Sequence, residues 1–198
     1  MPIKFFIDVS GFFTLKTFVF RLNLTEESMS IYMQIQGIDG NVTATGLEKF
    51  IQIESFDFQV KRKMNTQPGA VSDREGSKPS IGEVIVTKRV DNTTPLLFSE
   101  ATVGSAKPQA VIKFVNTGAN LQDYLIITLS NVLVSGYELS DQLPAVGEDG
   151  TQPHKAKPME TINLNFDKIE VKYTPYDEKH KAGAPIPAGY DLKTAKAT

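Results

Sequence analysis

Residues 124–137, YLIITLSNVLVSGY, run for fourteen positions without a charge and carry strand-forming side chains on both alternating faces. Tyr124, Ile126, Val132 and Val134 fall on one face, Leu125, Ile127, Leu129 and Leu133 on the other. A strand with one wet face alternates apolar with polar residues, so this one needs cover on two sides. A chain of 198 residues has room for one domain with a sizeable core, or one domain with appendages. Where the second cover comes from is the question the rest of the sequence has to answer.

From Met29 onward the dominant period is two. Residues 30–37, SIYMQIQG, alternate and end in the turn signal Asp39-Gly40. Residues 48–60, EKFIQIESFDFQV, start with Ile51 and Ile53 on one face and finish with Phe56, Phe58 and Val60 on the other. Residues 161–173, TINLNFDKIEVKY, do the same, passing from Ile162, Leu164 and Phe166 to Ile169, Val171 and Tyr173. A one-residue slip turns every later side chain to the opposite face. A strand accommodates that by bulging, or by bending so that each half serves a different sheet. Two slipped strands in a small domain predict a strongly curved sheet or a closed barrel.

GEVIVTKRV (82–90) and AVIKFVN (110–116) read as further strands, and Asn116-Thr117-Gly118 as the tip of a hairpin leading into 124–137. One helix is predicted, in DNTTPLLFSEATVG (91–104), with Thr94 as cap, Pro95 at the first helical position and Gly104 as left-handed terminator. So short a helix is marginal alone, so Leu97 and Ala101 should dock on the sheets and cover part of the long strand. Three segments resist packing. Residues 61–80 hold five basic and two acidic residues, a net of +3; residues 140–158 are polar; and the end of the chain from Pro175 is rich in Pro, Gly, Ala and Lys.

Composition narrows the chemistry. A net charge of −2 gives no argument for nucleic acid as partner. Without cysteine there are no disulfides, thiolates or Cys-based metal sites. His154 and His180, the two histidines, stand 26 residues apart in polar stretches without metal-ligand spacing. Ser99 and Ser135-Gly136 lack a nucleophile elbow, and Asp39-Gly40 lacks the alternating acids of a calcium loop. Neither a catalytic constellation nor a cofactor or metal site is predicted. No apolar run approaches the roughly 20 residues of a membrane span. Residues 1–28 are Phe-rich but interrupted by Asp8, Lys16 and Arg21, unlike a signal peptide. They read as translated upstream DNA before a natural start at Met29. The alternative is an extra strand over 16–24, with Phe18, Phe20, Leu22 and Leu24 on one face.

Taken together and in order, VTKRVDNTTPLLFSEATVG (86–104), YLIITLSNVLVSGY (124–137) and ETINLNFDKIEVKYTPYD (160–177), preceded by IQIESFDF (51–58), resemble the haemolysin-coregulated protein (Hcp) family. Its members are the tube proteins of the bacterial type VI secretion system. The resemblance covers roughly Met29 to Tyr190; residues 1–28 have no counterpart in it, and the segment 140–158 is longer than its usual pattern.

That resemblance implies a mainly β fold, a two-layer β-barrel with one short flanking helix and an extended loop. The barrel domain would span 29–175 and a flexible tail 176–198. It also implies a homohexameric ring, stacked into a tube, with the spike and sheath proteins of the system as partners and small effectors in the lumen. The protein would be made in the bacterial cytoplasm and exported through that system without a signal peptide. The long two-faced strand would then be covered by its own core and by the layer or helix over it. By the same resemblance Asp57 points into the lumen, near where cargo binds. Lys61, Arg62, Lys63 and Arg74 would lie on the loop that reaches the next ring, with Glu148 and Asp149 as possible acidic partners there. Two other readings compete: a stand-alone carbohydrate-binding or adhesin-like β-domain with aromatics on one concave face, and a tube protein fused to a toxin. The roughly 20 residues after the last strand pattern are too few for the toxin.

Overall fold

The computed structural model describes residues 29–63, 78–117, 121–141, 158–177 and 180–198. Along them run β1 (Met29–Ile35), β2 (Ile51–Ile53), β3 (Ser55–Asp57), β4 (Val60–Arg62), β5 (Pro79–Ile81) and β6 (Val84–Arg89). There follow α1 (Thr94–Val103), β7 (Lys107–Thr117), β8 (Leu121–Ser140), β9 (Met159–Asn165), β10 (Lys168–Tyr173), β11 (Ile186–Asp191) and β12 (Lys196–Ala197).

Two antiparallel layers share one core. The first has the order β12-β11-β10-β8-β7-β1-β2, and the second β8-β9-β6-β3. Strand β8 belongs to both: its first half pairs β7 and β10, and its second half pairs β9 from Leu133 to Ser140. This accounts for its apolar content on both parities. Ile127 and Leu129 are buried in the first half, but Val132 and Val134 in the second. The change of phase falls at Asn131, which takes a left-handed φ of 52°, a conformation Asn tolerates better than most residues. Its Nδ2 donates to the carboxylate of Asp167 at the β9–β10 corner, and Asp167 N–H donates to the Ser130 carbonyl at 3.0 Å. Much of the second cover is thus a change of layer, not a second core.

Both slips read from the sequence are the same device. Strand β2 pairs β1, and after Glu54 the chain continues as β3 on β6. Strand β9 pairs β6 and β8, and after Phe166-Asp167 the chain continues as β10 in the other layer. The predicted barrel is not closed by an unbroken hydrogen-bond ladder: the layers are joined covalently along β8 and at the two corners. Buried side chains from both layers, among them Met33, Ile51, Val86, Ile112, Leu129, Ile162 and Leu164, make one cluster, each fully buried aliphatic side chain contributing ~1.5–3 kcal/mol. A smaller cluster of Leu47, Phe50 and Val115 covers the outer side of β1 and β7.

Two expectations change in detail. Helix α1 begins at Thr94 with Thr93 as its cap position, and the Thr93 hydroxyl donates to Asp91 Oδ1 at 2.6 Å instead of capping the helix. Gly104 terminates it as expected, at φ 70° with its N–H on the Glu100 carbonyl, and Leu97 is fully buried. The end of the chain, read as a flexible tail, carries β11 and β12, and β11 adds six residue pairs to the edge of β10. IPAGYD has Pro and Gly and little alternation, so it gives no strand signal; an edge position tolerates all three.

Candidate functional site

The second layer has one face on the core and, among the described residues, an outer face of exposed and half-buried side chains. In β3 the ring of Phe56 packs inward against Phe114, edge-on at 5.2 Å, so Ser55 and Asp57 on either side project outward and are exposed. Cross-strand register extends that outer face through Ile85 and Thr87 to Asn163 and Thr161. Hydrogen bonds tie it laterally: Ser55 Oγ and Thr87 Oγ1 lie 2.6 Å apart, and Asn165 Nδ2 donates to Glu83 Oε1 at 3.2 Å. Arg89 meets Glu54 at 2.9 Å at one margin. The wall is mostly polar and carries Asp57 as an exposed acidic side chain.

Beyond β3 the chain leaves the two hydrogen-bonded layers, although Phe58 and Ile81 still pack against their core. Strands β4 and β5 pair only with each other, Val60 opposite Ile81 and Arg62 opposite Pro79, and form an arm. Lys61, Arg62 and Lys63 are all exposed on it, and Val60 is 55% exposed. Arg74, Glu148, Asp149 and His154 lie outside the described residues. His180 is exposed on a left-handed turn, at φ 58°. Among the described residues no group of three or more His, Asp or Glu is placed to hold a metal ion, and no helix is long and apolar enough to cross a membrane.

Sequence reasoning passed over a buried ionic network beneath α1. Lys88 Nζ lies 2.5 Å from Glu160 Oε2 and 2.9 Å from Asp91 Oδ1, with Lys88 and Glu160 both at 0% exposure. Tyr137 donates to the other Glu160 oxygen at 2.8 Å, and burial, then Glu160 itself, push its hydroxyl up to about 12. Burial also acts to raise Asp91, but the bonds from Thr93 and Lys88 together outweigh it and hold the carboxyl below its usual range. The signal was parity: Lys88 shares a face with Val84 and Val86, and Glu160 with Ile162 and Leu164. Above the network, Phe98 meets Tyr137 edge-on at 5.8 Å. Leu96, Phe98 and Val103 leave α1 with an apolar outer side, 46%, 55% and 72% exposed.

Residues 32–173 match the family model described as type VI secretion system effector, Hcp. The chain belongs to the Hcp family. It is 31% identical over 118 residues to Protein hcp1 of Pseudomonas aeruginosa, a stretch that covers 59% of this chain and 67% of that protein. The fold matches a solved type six secretion system protein with a TM-score of 0.76 at 24% identity, covering 86% of this chain and all of that one. Hcp1 from Salmonella typhimurium matches with a TM-score of 0.65 at 24% identity, over 86% of this chain and 99% of its own. This Hcp protein therefore has the mainly β, one-helix fold of its family and belongs with the secreted, structural components of type VI secretion. Its Asp57 lies on the uncovered polar wall and its Lys61, Arg62 and Lys63 on the arm, two surfaces on different parts of the molecule.

Proposed function

We propose that this Hcp protein closes into homohexameric rings that stack into the type VI tube, and that small effectors ride in the lumen. The observation that carries the reading is the family match over 32–173 on a fold with exposed surfaces suited to assembly. The outer face of β3, β6 and β9 would line the lumen. It is a mostly polar wall, and Asp57 would stand on it as a cargo contact. The β4–β5 arm, with Lys61, Arg62 and Lys63 and with Arg74 further along, would reach the next ring. Rings are heterologous contacts that close, whereas stacking is the open contact that makes a filament. Residues 29–175 act as the assembling domain. The spike and sheath of the same system are its further partners, and export without a signal peptide follows from transport through that machine.

Negative-stain electron microscopy of the purified full chain, beside a secretion assay in a type VI-competent bacterium, tests this. Six-lobed rings and a secreted chain are expected, and Asp57→Arg should keep the rings while lowering the amount of co-purified effector. Dispersed monomers without secretion would overturn the proposal.

A further inference from the structure

The β7–β8 hairpin holds one irregularity. Phe114 pairs with Leu125 but Val115 with Asp123, so Tyr124 has no partner on β7. Bulges re-aim side chains, and this one brings the Tyr124 ring to 6.4 Å from Phe114. There it borders a cleft of about 480 Å³ lined with Tyr173, Tyr176, Gln122, Asp177 and His180 among others. Three of the six tyrosines in the chain meet in it. The cleft is fixed in shape by backbone bonds. Thr174 N–H donates to the Tyr124 carbonyl at 2.8 Å, and His180 N–H to the Asp177 carbonyl at 2.9 Å. Gln122 Nε2 donates to the His180 carbonyl at 3.0 Å and ties the hairpin to the turn that follows β10. His180 is held there at φ 58°, the kind of backbone outlier that gathers at ligand sites. Thr174, Tyr176, Asp177 and His180 lie beyond the span matched by the family model, which ends at Tyr173.

The chemistry of the lining selects a ligand class. The volume falls among those of small-molecule sites. Among the described residues that line the cleft there is no Lys or Arg, and Asp177 is the one acid. Tyrosine gives a flat apolar face with a hydroxyl at its edge, and Gln and His add planar polar groups beside it. Burial raises the Tyr124 hydroxyl, with Tyr173 adding to it, and burial raises that of Tyr176, with Asp123 adding; both stay protonated as donors. The Tyr124 hydroxyl donates to the weak acceptor Met29 Sδ, at 3.2 Å, which a ligand oxygen can replace. Flat apolar faces rimmed by hydroxyls, amides and the Asp177 carboxylate fit a ring that is apolar on its C–H faces and hydroxylated at its rim.

We propose that this cleft binds a neutral saccharide of one or two sugar rings, independently of the tube role. A neutral-glycan array on the purified full-length assembly selects a probe. Isothermal titration then follows that probe, with tetramethylammonium and inorganic phosphate as the competing chemistries. Saturable binding of the saccharide alone is expected. Tyr173→Ala and Tyr176→Ala should each weaken it about tenfold, the scale of one lost aromatic contact, while Tyr173→Phe stays close to wild type. Tyr173 is 47% exposed, so its replacement leaves the fold intact and carries the test even if Tyr176→Ala does not fold. No saturable binding on the array, affinity unchanged in Tyr173→Ala, or saturable binding only of the cation or the phosphate would each overturn the proposal.

Discussion

Lys88 and Glu160 are the two fully buried charged residues among those described. The Lys88 stem runs among core side chains and its ammonium is satisfied by Glu160 and Asp91. Removing one partner of a buried pair leaves an uncompensated charge, which costs about 3–5 kcal/mol, whereas replacing the pair by apolar residues can be neutral. Lys88→Ala should therefore lower unfolding stability by about that amount in a urea titration, and Lys88→Met combined with Glu160→Met should recover much of it. A Lys88→Ala loss below about 1 kcal/mol would mean that the pair contributes no more than a surface one. Tyr137 adds a test in pH. Its hydroxyl is raised in the folded state to about 12, so its contribution is complete below the ordinary tyrosine value of about 10 and is lost as pH rises toward 12. Stability should fall across that window in the wild type, and Tyr137→Phe should flatten the fall; equal slopes in both proteins would exclude Tyr137 as its source.

At the scale of elements, the corners decide the fold. The sequence showed two of them, at Glu54 and at Phe166-Asp167, as one-residue slips in alternating patterns, because a strand that changes layer must change which parity is buried. The third, at Asn131, was hidden. There apolar residues stand on both parities from Ile126 to Leu133, with Thr128, Ser130 and Asn131 among them and no charge, so the pattern does not show which parity is buried. Hairpin β7–β8 and helix α1 were legible from turn and cap residues. Strands β11 and β12 were not, since an edge strand with Pro187 and Gly189 owes its order to β10 and not to its own pattern. Asp57 and the exposed lysines of the arm were found through resemblance, and the geometry adds which face each occupies. The Asp39-Gly40 turn signal proved stricter than a turn requires. A Cβ on Gly40 would lie 2.1 Å from the Phe50 carbonyl oxygen, so Gly40→Ala must push the 38–50 segment off β1 and β7 and should lower the thermal midpoint by several degrees. An unchanged midpoint would show that the segment can move at no cost. On the arm, exposed ion pairs are worth roughly 0–1 kcal/mol each and weaken with salt, yet the same small term repeats around a ring. Converting Lys61, Arg62 and Lys63 to Glu should leave rings intact and reduce stacking and secretion. Unchanged tubes by electron microscopy would remove this arm from the stacking contact.

For the whole molecule, the described residues leave three surfaces accessible: the polar wall of β3, β6 and β9, the arm, and the apolar outer side of α1. Residues 1–28 precede both the first strand, which starts at Met29, and the family match, which starts at residue 32. Their deletion should leave folding and ring assembly as they are, and a large fall in thermal midpoint would show instead that Phe18, Phe20 and Leu22 pair as part of the fold. The claim on which the rest depends is that the working unit is a closed ring of six. Native mass spectrometry of the purified full chain measures that number directly. The account predicts a dominant species at six times the 21.8 kDa of one chain, with multiples of it where rings stack; a dominant species at the mass of a single chain would contradict it.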